Sequence, residues 1–572
     1  MNAGPRRDAT PPRWRCRLVA AVFLLLPVAL VGRGVELQLT ESDFLQGQAE
    51  ARHLRVEALP AHRGAITDRH GEVLAMSAPM DSVWADPGPL LAAEGGVQRL
   101  AAALEMDAGA LQQALSERAE REFVYVRRHV DPELAERVMA LDLPGVALRR
   151  EYRRFYPTGE VTGHLLGFTN IDDRGQEGLE LAYDDWLSGT PGAKRVLRDR
   201  LGRTIEDVER LSEPQPGREL ALTVDRRLQY LAYRELKSAV RAHDARSGSL
   251  VLLDARSGDV LAMVNQPAFN PNRRGGMRAE QYRNRAVTDL FEPGSTIKPF
   301  TVAAALESGR YTPSTPVDTA PGWMRVGRHQ VRDVRDYGTL DVASVISKSS
   351  NVGAARIALD LEVGRVWELL AAAGLGRPTG VAHPGEASGY LAIMPPERPI
   401  ERATLAFGYG LSNTSLQLAR AYAAIANDGL LPPVSLLAGA ERGDARRIMS
   451  ARTAQAVRGM MEGVVQPAGT APAAAVPGYR VAGKTGTVRK AVAGGYAEDR
   501  YTATFAGLAP VSDPRFVCVV TLDEPGGEAY YAGEVAAPVF GAVMADALRL
   551  YNVAPDATPR ESRLVAAGRD GG

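Results

Sequence analysis

Cysteine is almost missing from this chain: 572 residues contain two, Cys16 and Cys518. That excludes a disulfide framework. Cys16 precedes the N-terminal apolar run, whereas a lipidated lipoprotein cysteine follows one, so a lipid site is not expected there. Cys518 lies in the strand-like run Phe516-Val517-Cys518-Val519-Val520 and reads as a small buried apolar residue. Histidine is sparse as well. The eight histidines are scattered, and with one cysteine beyond the apolar run they leave no metal-ligand spacing. No metal and no cofactor is expected. Net charge is lacking too, with Lys+Arg and Asp+Glu at 68 each. Such a balance offers no basic groove, which argues against a nucleic-acid partner. No internal repeat is visible.

What is present is an ordinary folded body, 45% apolar and 24% charged. Its length calls for two or more domains. Residues 1–17 carry Arg6, Arg7, Arg13, Arg15 and Arg17 against Asp8, which reads as a short cytoplasmic tail. Leu18 to Val31 is an unbroken apolar run of 14. That is short of the roughly 20 residues of a span and would suit a signal-peptide core. No small-x-small cleavage site follows, however, and Gly34 and Val35 extend the helix while Arg33 can snorkel. An uncleaved single-pass signal anchor over 18–35 is therefore expected in the inner membrane, arginine-rich side in the cytoplasm.

Residues 36–215 alternate short helices (Gln98 to Glu105, Ala108 to Glu117, Pro132 to Leu143) with extended pieces such as Phe123 to Arg127. No nucleophile with a partner occurs there, so a structural or docking domain is expected. Pro214-Gln215-Pro216-Gly217 is a breaker cluster and marks the boundary. Then come an entry strand at Leu220 to Val224, the helix-capping Asp225, and an amphipathic helix from Arg226 to about His243 bearing Leu228, Leu231, Leu236 and Val240. Gly248 to Asp254 and Asp259 to Asn265 form a hairpin. Helices dominate from about 266 to 478. Strands return at Tyr479 to Val488, Tyr501 to Leu508 and Phe516 to Leu522, and a helix from about Ala536 to Leu550 closes the domain. Strands at both ends with helices between imply an α+β body over 219–552 in which distant strands pair. The polar tail over 553–572 is expected to be disordered.

Chemistry concentrates in three places. Phe291-Glu292-Pro293-Gly294-Ser295-Thr296-Ile297-Lys298-Pro299-Phe300 sets a hydroxyl and an amine three residues apart at a helix start. Positions i and i+3 share a helix face, so the Lys298 amine can reach Ser295. The helix N-terminus favours a developing anion, and Pro299 fits the first turn. Taken alone, Ser-x-x-Lys is more often a capping serine with a solvated lysine. Downstream, however, Ser349-Ser350-Asn351 falls in a helical stretch and Lys484-Thr485-Gly486-Thr487 in an extended one. The three motifs in this order are the signature of penicillin-binding proteins and class A β-lactamases.

Each residue type has a role in acyl transfer. Ser295 is the expected nucleophile. Lys298 must be neutral to take its proton, and burial together with a second cation, Lys484, would lower its pKa. Ser349 is placed to pass a proton to the leaving amine, and the Asn351 amide can donate to and accept from a peptide backbone. An extended peptide can add to an edge strand, with Gly486 leaving room for its backbone and Lys484, Thr485 and Thr487 gripping a carboxylate. Backbone N–H groups of Ser295 and Thr487 would form the oxyanion hole.

The sequence closely resembles the class B penicillin-binding proteins, and among them the FtsI type of septum-building D,D-transpeptidase. Besides the three motifs, the likeness lies in Arg63-Gly64, Asp68-Arg69 and Gly71, in Arg154-Phe155-Tyr156-Pro157, and in Gly175-Gln176-Glu177-Gly178-Leu179-Glu180. It implies an elongated non-catalytic α+β domain of the dimerisation type and a serine β-lactamase-like transpeptidase domain, an antiparallel sheet flanked by helices. It implies that Ser295 is acylated by the penultimate D-alanine of a peptidoglycan stem peptide and that β-lactam antibiotics acylate the same serine. It places an aromatic wall at Tyr409, in Gly408-Tyr409-Gly410-Leu411-Ser412, and at Tyr531. In Tyr530-Tyr531-Ala532-Gly533 an alanine departs from the usual glycine pair. A polytopic FtsW-type glycosyltransferase and other division proteins are the implied partners. The blocks around Ser295 and Ser349 favour the septal over the elongation-specific type. A β-lactam sensor, a carboxypeptidase or β-lactamase, and a scaffold that has lost catalysis are the rival readings.

Overall fold

The computed structural model describes residues 13–35, 54–198, 204–492 and 494–557. Most of the expected cytoplasmic tail, the start of the non-catalytic domain over 36–53, and residues 558–572 of the expected disordered tail lie outside the described residues. Arg13–Val35 is one 23-residue helix with Pro27 inside it. Its Phe23, Leu24 and Leu30 side chains are exposed. Among the described residues no helix is long and apolar enough to cross a membrane.

The chain folds into two compact units. The smaller comprises Met1–Ala61, Pro79–Glu151 and Thr190–Gln215. In it, Leu54–Leu59, Gly192–Arg198 and Thr204–Ser212 make an antiparallel sheet. It also has a core of its own, built from Val83, Leu90, Leu100, Leu104, Leu111 and Val138. The expected helices are there with shifted ends, at Gly96–Ala103, Ala108–Ser116 and Pro132–Met139.

The larger unit comprises His62–Ala78, Tyr152–Gly189 and Pro216–Gly572. The division is therefore not the single cut near residue 215 expected from the breaker cluster. Two earlier segments fold with the C-terminal body, held to it by main-chain bonds such as Leu220 N to Ala65 O and Leu222 N to Thr67 O, both at 2.9 Å, and to each other by buried ion pairs. Glu180 accepts from Arg63 at 2.7 Å and from Arg154 at 2.6 Å, with all three side chains essentially inaccessible to water. Tertiary pairing across distant sequence overrides the local punctuation.

The centre of this unit is a five-stranded antiparallel sheet. Its strands are β1 (Ser247–Asp254), β2 (Val260–Gln266), β3 (Ala482–Val492), β4 (Gly495–Ala509) and β5 (Phe516–Asp523). The spatial order is β2-β1-β5-β4-β3, so strands from both ends of the domain pair and β3 is an edge. Every residue of β1 and β2 is buried, which explains the apolar stretches Leu250 to Leu253 and Val260 to Val264 within them. The helices that follow are α1 (Arg226–Ala242), α2 (Lys298–Glu307), α3 (Val342–Ser347), α4 (Asn351–Asp360), α5 (Ser415–Ala426) and α6 (Ala537–Leu550). Helix α1 is capped by Asp225, whose carboxylate accepts from Arg227 N at 2.9 Å, and it buries Leu228, Leu236 and Ala239. It packs with α6 against the sheet. Helix α5 is apolar nearly all round and runs through the core beside β1 and β5.

Two local expectations change. The entry strand at Leu220 to Val224 shrinks to Leu220–Ala221, paired in parallel with Ile66–Thr67. The chain also stays packed for a few residues past the start of the expected tail. Asp556 accepts from Arg480 N at 2.7 Å and from Ser512 N at 3.1 Å.

Candidate active site

Ser295 stands on a 3-10 turn, Gly294–Ile297, that leads straight into α2. Gly294 has φ +54°, and its N–H donates to Gly408 O at 3.1 Å. A side chain there would meet Val488 Cγ2 at 2.3 Å, so only glycine fits. The turn is pinned from below by Tyr422 of α5, whose hydroxyl donates to Thr296 O at 2.7 Å. Pro299 occupies the first turn of α2, where a missing N–H is harmless. The Ser295 hydroxyl makes no hydrogen bond among the described residues.

Ser349 is not on a helix, contrary to the sequence reading. It sits in the break between α3 and α4 with φ +62°, a strained conformation for serine. Ser350 caps α4, its hydroxyl accepting from Gly353 N at 2.9 Å. Asp333 holds this break in place. Its carboxylate accepts from Ser350 Oγ at 2.5 Å, Asn351 N at 2.5 Å and Val352 N at 3.0 Å. The Asn351 amide donates to Arg332 O at 3.0 Å. Sequence reasoning missed Asp333; its only signal was an acid shortly before a Ser-x-Asn motif.

The motifs meet at two lysines. Lys298 Nζ lies 2.5 Å from Ser349 O, 3.2 Å from Ser349 Oγ and 2.7 Å from Asn351 Oδ1. Lys484 Nζ, from the edge strand, donates to Ser349 Oγ at 2.9 Å and to Thr485 O at 3.0 Å. Ser349 Oγ is thus shared by two amines. Both lysines are fully buried. Burial pushes Lys298 well below the ordinary lysine range; the charge of Lys484 pushes the same way, and Asp333 opposes. Burial lowers Lys484 to about 7.

Gly486 does something other than expected. A Cβ there would meet Pro293 O at 2.7 Å and Thr296 Cγ2 at 3.0 Å. The missing side chain makes room for the Ser295 turn, not for a ligand backbone. Thr485 Oγ1 lies 2.9 Å from Thr470 Oγ1, and Thr487 Oγ1 accepts from Ala532 N at 3.0 Å. The alanine of Tyr530-Tyr531-Ala532-Gly533 is therefore tied through its backbone to the edge strand. The two wall tyrosines belong to separate clusters. Tyr409 packs edge-on against Phe407 and Tyr496, both at 5.7 Å between ring centres. Tyr531, half exposed, stacks on Tyr530, which stacks on Tyr501. Tyr496 and Tyr501 were missed, because isolated tyrosines in a hairpin carry no motif.

A hydroxyl on the turn that leads into Lys298, hydrogen-bonded to neither amine, and two buried amines that share a second hydroxyl are the parts for nucleophilic attack with proton relay. Comparison with known proteins agrees. Residues 248–545 match the penicillin-binding protein transpeptidase domain, and residues 58–222 match the penicillin-binding protein dimerisation domain. The chain is 42% identical over 550 residues to the peptidoglycan D,D-transpeptidase FtsI of Escherichia coli, covering 95% of this chain and 93% of that one. It is 41% identical over 545 residues to the probable peptidoglycan D,D-transpeptidase PenA of Neisseria gonorrhoeae, with the same coverage of each chain. Penicillin-binding protein 3 of Mycobacterium tuberculosis, solved in complex with aztreonam, superimposes with a TM-score of 0.69 at 29% identity, over 88% of this chain and 98% of that one. The chain belongs to the class B penicillin-binding proteins, in the group of FtsI and PenA.

Proposed function

We propose that this protein is a peptidoglycan D,D-transpeptidase that cross-links stem peptides through a Ser295 acyl-enzyme during septum synthesis, and that β-lactams block it by acylating the same serine. The observation that carries the reading is the position of Ser349 Oγ, within hydrogen-bond distance of both Lys298 Nζ and Lys484 Nζ. Ser295 Oγ attacks the carbonyl of the penultimate D-alanine while neutral Lys298 takes its proton. The oxyanion is held by the N–H groups of Ser295 and Thr487. The C–N bond then breaks, and Ser349 passes a proton to the leaving D-alanine amine. An amine of a second stem peptide attacks the ester, forms the cross-link and returns the proton to Ser295. Lys484, Thr485 and Thr487 grip the terminal carboxylate of the donor. Asn351 orients its backbone, and Tyr409 and Tyr531 flank the groove.

The exposed apolar side chains of the Arg13–Val35 helix support an inner-membrane anchor at this end of the chain even though the helix falls short of a full span, with the catalytic unit on the periplasmic side at the division septum. An FtsW-type glycosyltransferase is the partner that such an anchored enzyme requires for nascent strands.

Intact-mass measurement after incubation with a labelled penicillin tests the nucleophile. Wild type should gain one adduct and Ser295→Ala none. An adduct of equal yield in the alanine variant would remove Ser295 from the role.

A further inference from the structure

A hairpin of Trp323–Val326 and His329–Arg332 leads directly into Asp333, which clamps the Ser349 break. Arg332 O is also the acceptor for the Asn351 amide. The hairpin is thus wired to the site, and its outer surface is strongly cationic. Arg325, Arg328, Arg332 and Arg335 are all exposed. None of the four is in an ion pair among the described residues. Arg332 donates to Gln330, and Arg335 lies over the Tyr337 ring. The two neighbouring acids are spent elsewhere: Asp333 on three donors of α4, and Asp336 on Gly338 N. Elsewhere on this unit, arginines of comparable exposure such as Arg283, Arg310 and Arg398 have carboxylate partners. Four uncompensated guanidiniums within 11 residues repel one another, so their clustering calls for an anion from outside.

We propose that this hairpin captures the free carboxylates of the acceptor stem peptide. The inference rests on the transpeptidase reading and extends it to the second substrate. In the acyl-enzyme the donor fills the groove between Asn351 and the edge strand, with its own carboxylate site at Lys484 vacated by the departed D-alanine. An approaching acceptor therefore meets the outside of the groove wall, which on the Asn351 side is this hairpin. Stem peptides carry free carboxylates along their length, and guanidinium forks match them in pairs of parallel hydrogen bonds.

The test compares two acceptor peptides that share the same amine, one with free carboxylates and one with those groups amidated, each presented to the full-length enzyme with a fixed donor. Wild type at low salt should use the free-carboxylate acceptor roughly three- to tenfold better in kcat/KM, and the preference should shrink as salt is raised through about 0.1 M. Arg325→Gln/Arg328→Gln and, separately, Arg335→Gln should lose part of that preference while a labelled penicillin still acylates them at the wild-type rate. A preference absent from wild type, or undiminished in both variants, overturns the proposal. Wild type that is acylated yet cross-links neither acceptor overturns the transpeptidase reading instead.

Discussion

Two amines in one dry pocket cannot both stay charged without penalty, and here the geometry makes use of that. Lys298 faces three acceptors, and as an ammonium it would spend all three protons on them. As a neutral amine it keeps a lone pair for Ser295, which is the form that burial and Lys484 favour. Lys484, lowered to about 7, loses its proton in the folded protein while the unfolded chain still holds one up to the ordinary lysine value of about 10.4. Between those two limits unfolding takes up a proton, so folded stability rises with pH; below pH 7 both states are charged and the full burial penalty stands. Lys484→Met should reduce this rise. Denaturant unfolding of both proteins at several values between pH 6.5 and 9.5 reads it, and parallel curves would contradict the buried-cation account.

Asp333 is the residue that no motif announces. It satisfies two backbone N–H groups at the start of α4 and the Ser350 hydroxyl, and its charge suits the positive helix end. Removing it leaves those donors unpaired and frees Ser349 from its strained φ. Asp333→Ala should lose about 1.5–3 kcal/mol of stability and slow penicillin acylation at least tenfold. Acylation at the wild-type rate would mean that the break between α3 and α4 holds its shape unaided.

At the scale of elements, spacing within a motif was readable because it is local. Ser295 and Lys298 lie one turn apart whether the turn is α or 3-10, and the extended character of Lys484 to Val488 follows from its composition. How elements meet was not readable. Gly486 looks in sequence like clearance for a substrate and is in fact clearance for the turn that carries the nucleophile. Ser349 looks helical because helices flank it, yet Asp333 and the two lysines hold it out of one. Gly486→Ala tests the contact between strand and turn. With Pro293 O at 2.7 Å from the added methyl, β3 must move away from Ser295, which carries Lys484 off Ser349 as well. Overpacking of this kind costs about 1–3 kcal/mol, and acylation should fall ten- to a hundredfold while the circular dichroism spectrum is unchanged. An alanine variant as reactive as wild type would put the clearance elsewhere.

At the scale of the whole molecule, the breaker cluster at Pro214 to Gly217 coincides with one edge of the larger unit, but its other edges fall at Ala61/His62, Ala78/Pro79, Glu151/Tyr152 and Gly189/Thr190, where composition does not change. The reason is pairing across distant sequence: Leu220 N and Leu222 N donate to Ala65 O and Thr67 O, and Asn272 bonds the Tyr156 backbone, while a buried charge cluster ties the two early segments to each other. Arg63, Arg154 and Glu180 are far apart in the chain and individually unremarkable, yet once folded they are buried together, with Arg63 also reaching Asp184 at 2.6 Å. Two guanidiniums out of water share that one carboxylate, and Arg63 has Asp184 besides. Removing a single partner of a buried charge cluster costs about 3–5 kcal/mol, more than the pair contributes over an apolar substitute, because the remaining charges are left uncompensated. Glu180→Ala should therefore lower the thermal midpoint of the larger unit by several degrees, and Glu180→Gln by less, since it keeps the hydrogen-bond acceptor. Below its transition Glu180→Ala should still take one labelled penicillin on Ser295, because no member of the cluster touches the site. If the midpoint stays at the wild-type value, Asp184 and Asp173 suffice for the two arginines, and something other than Glu180 holds the two early segments together.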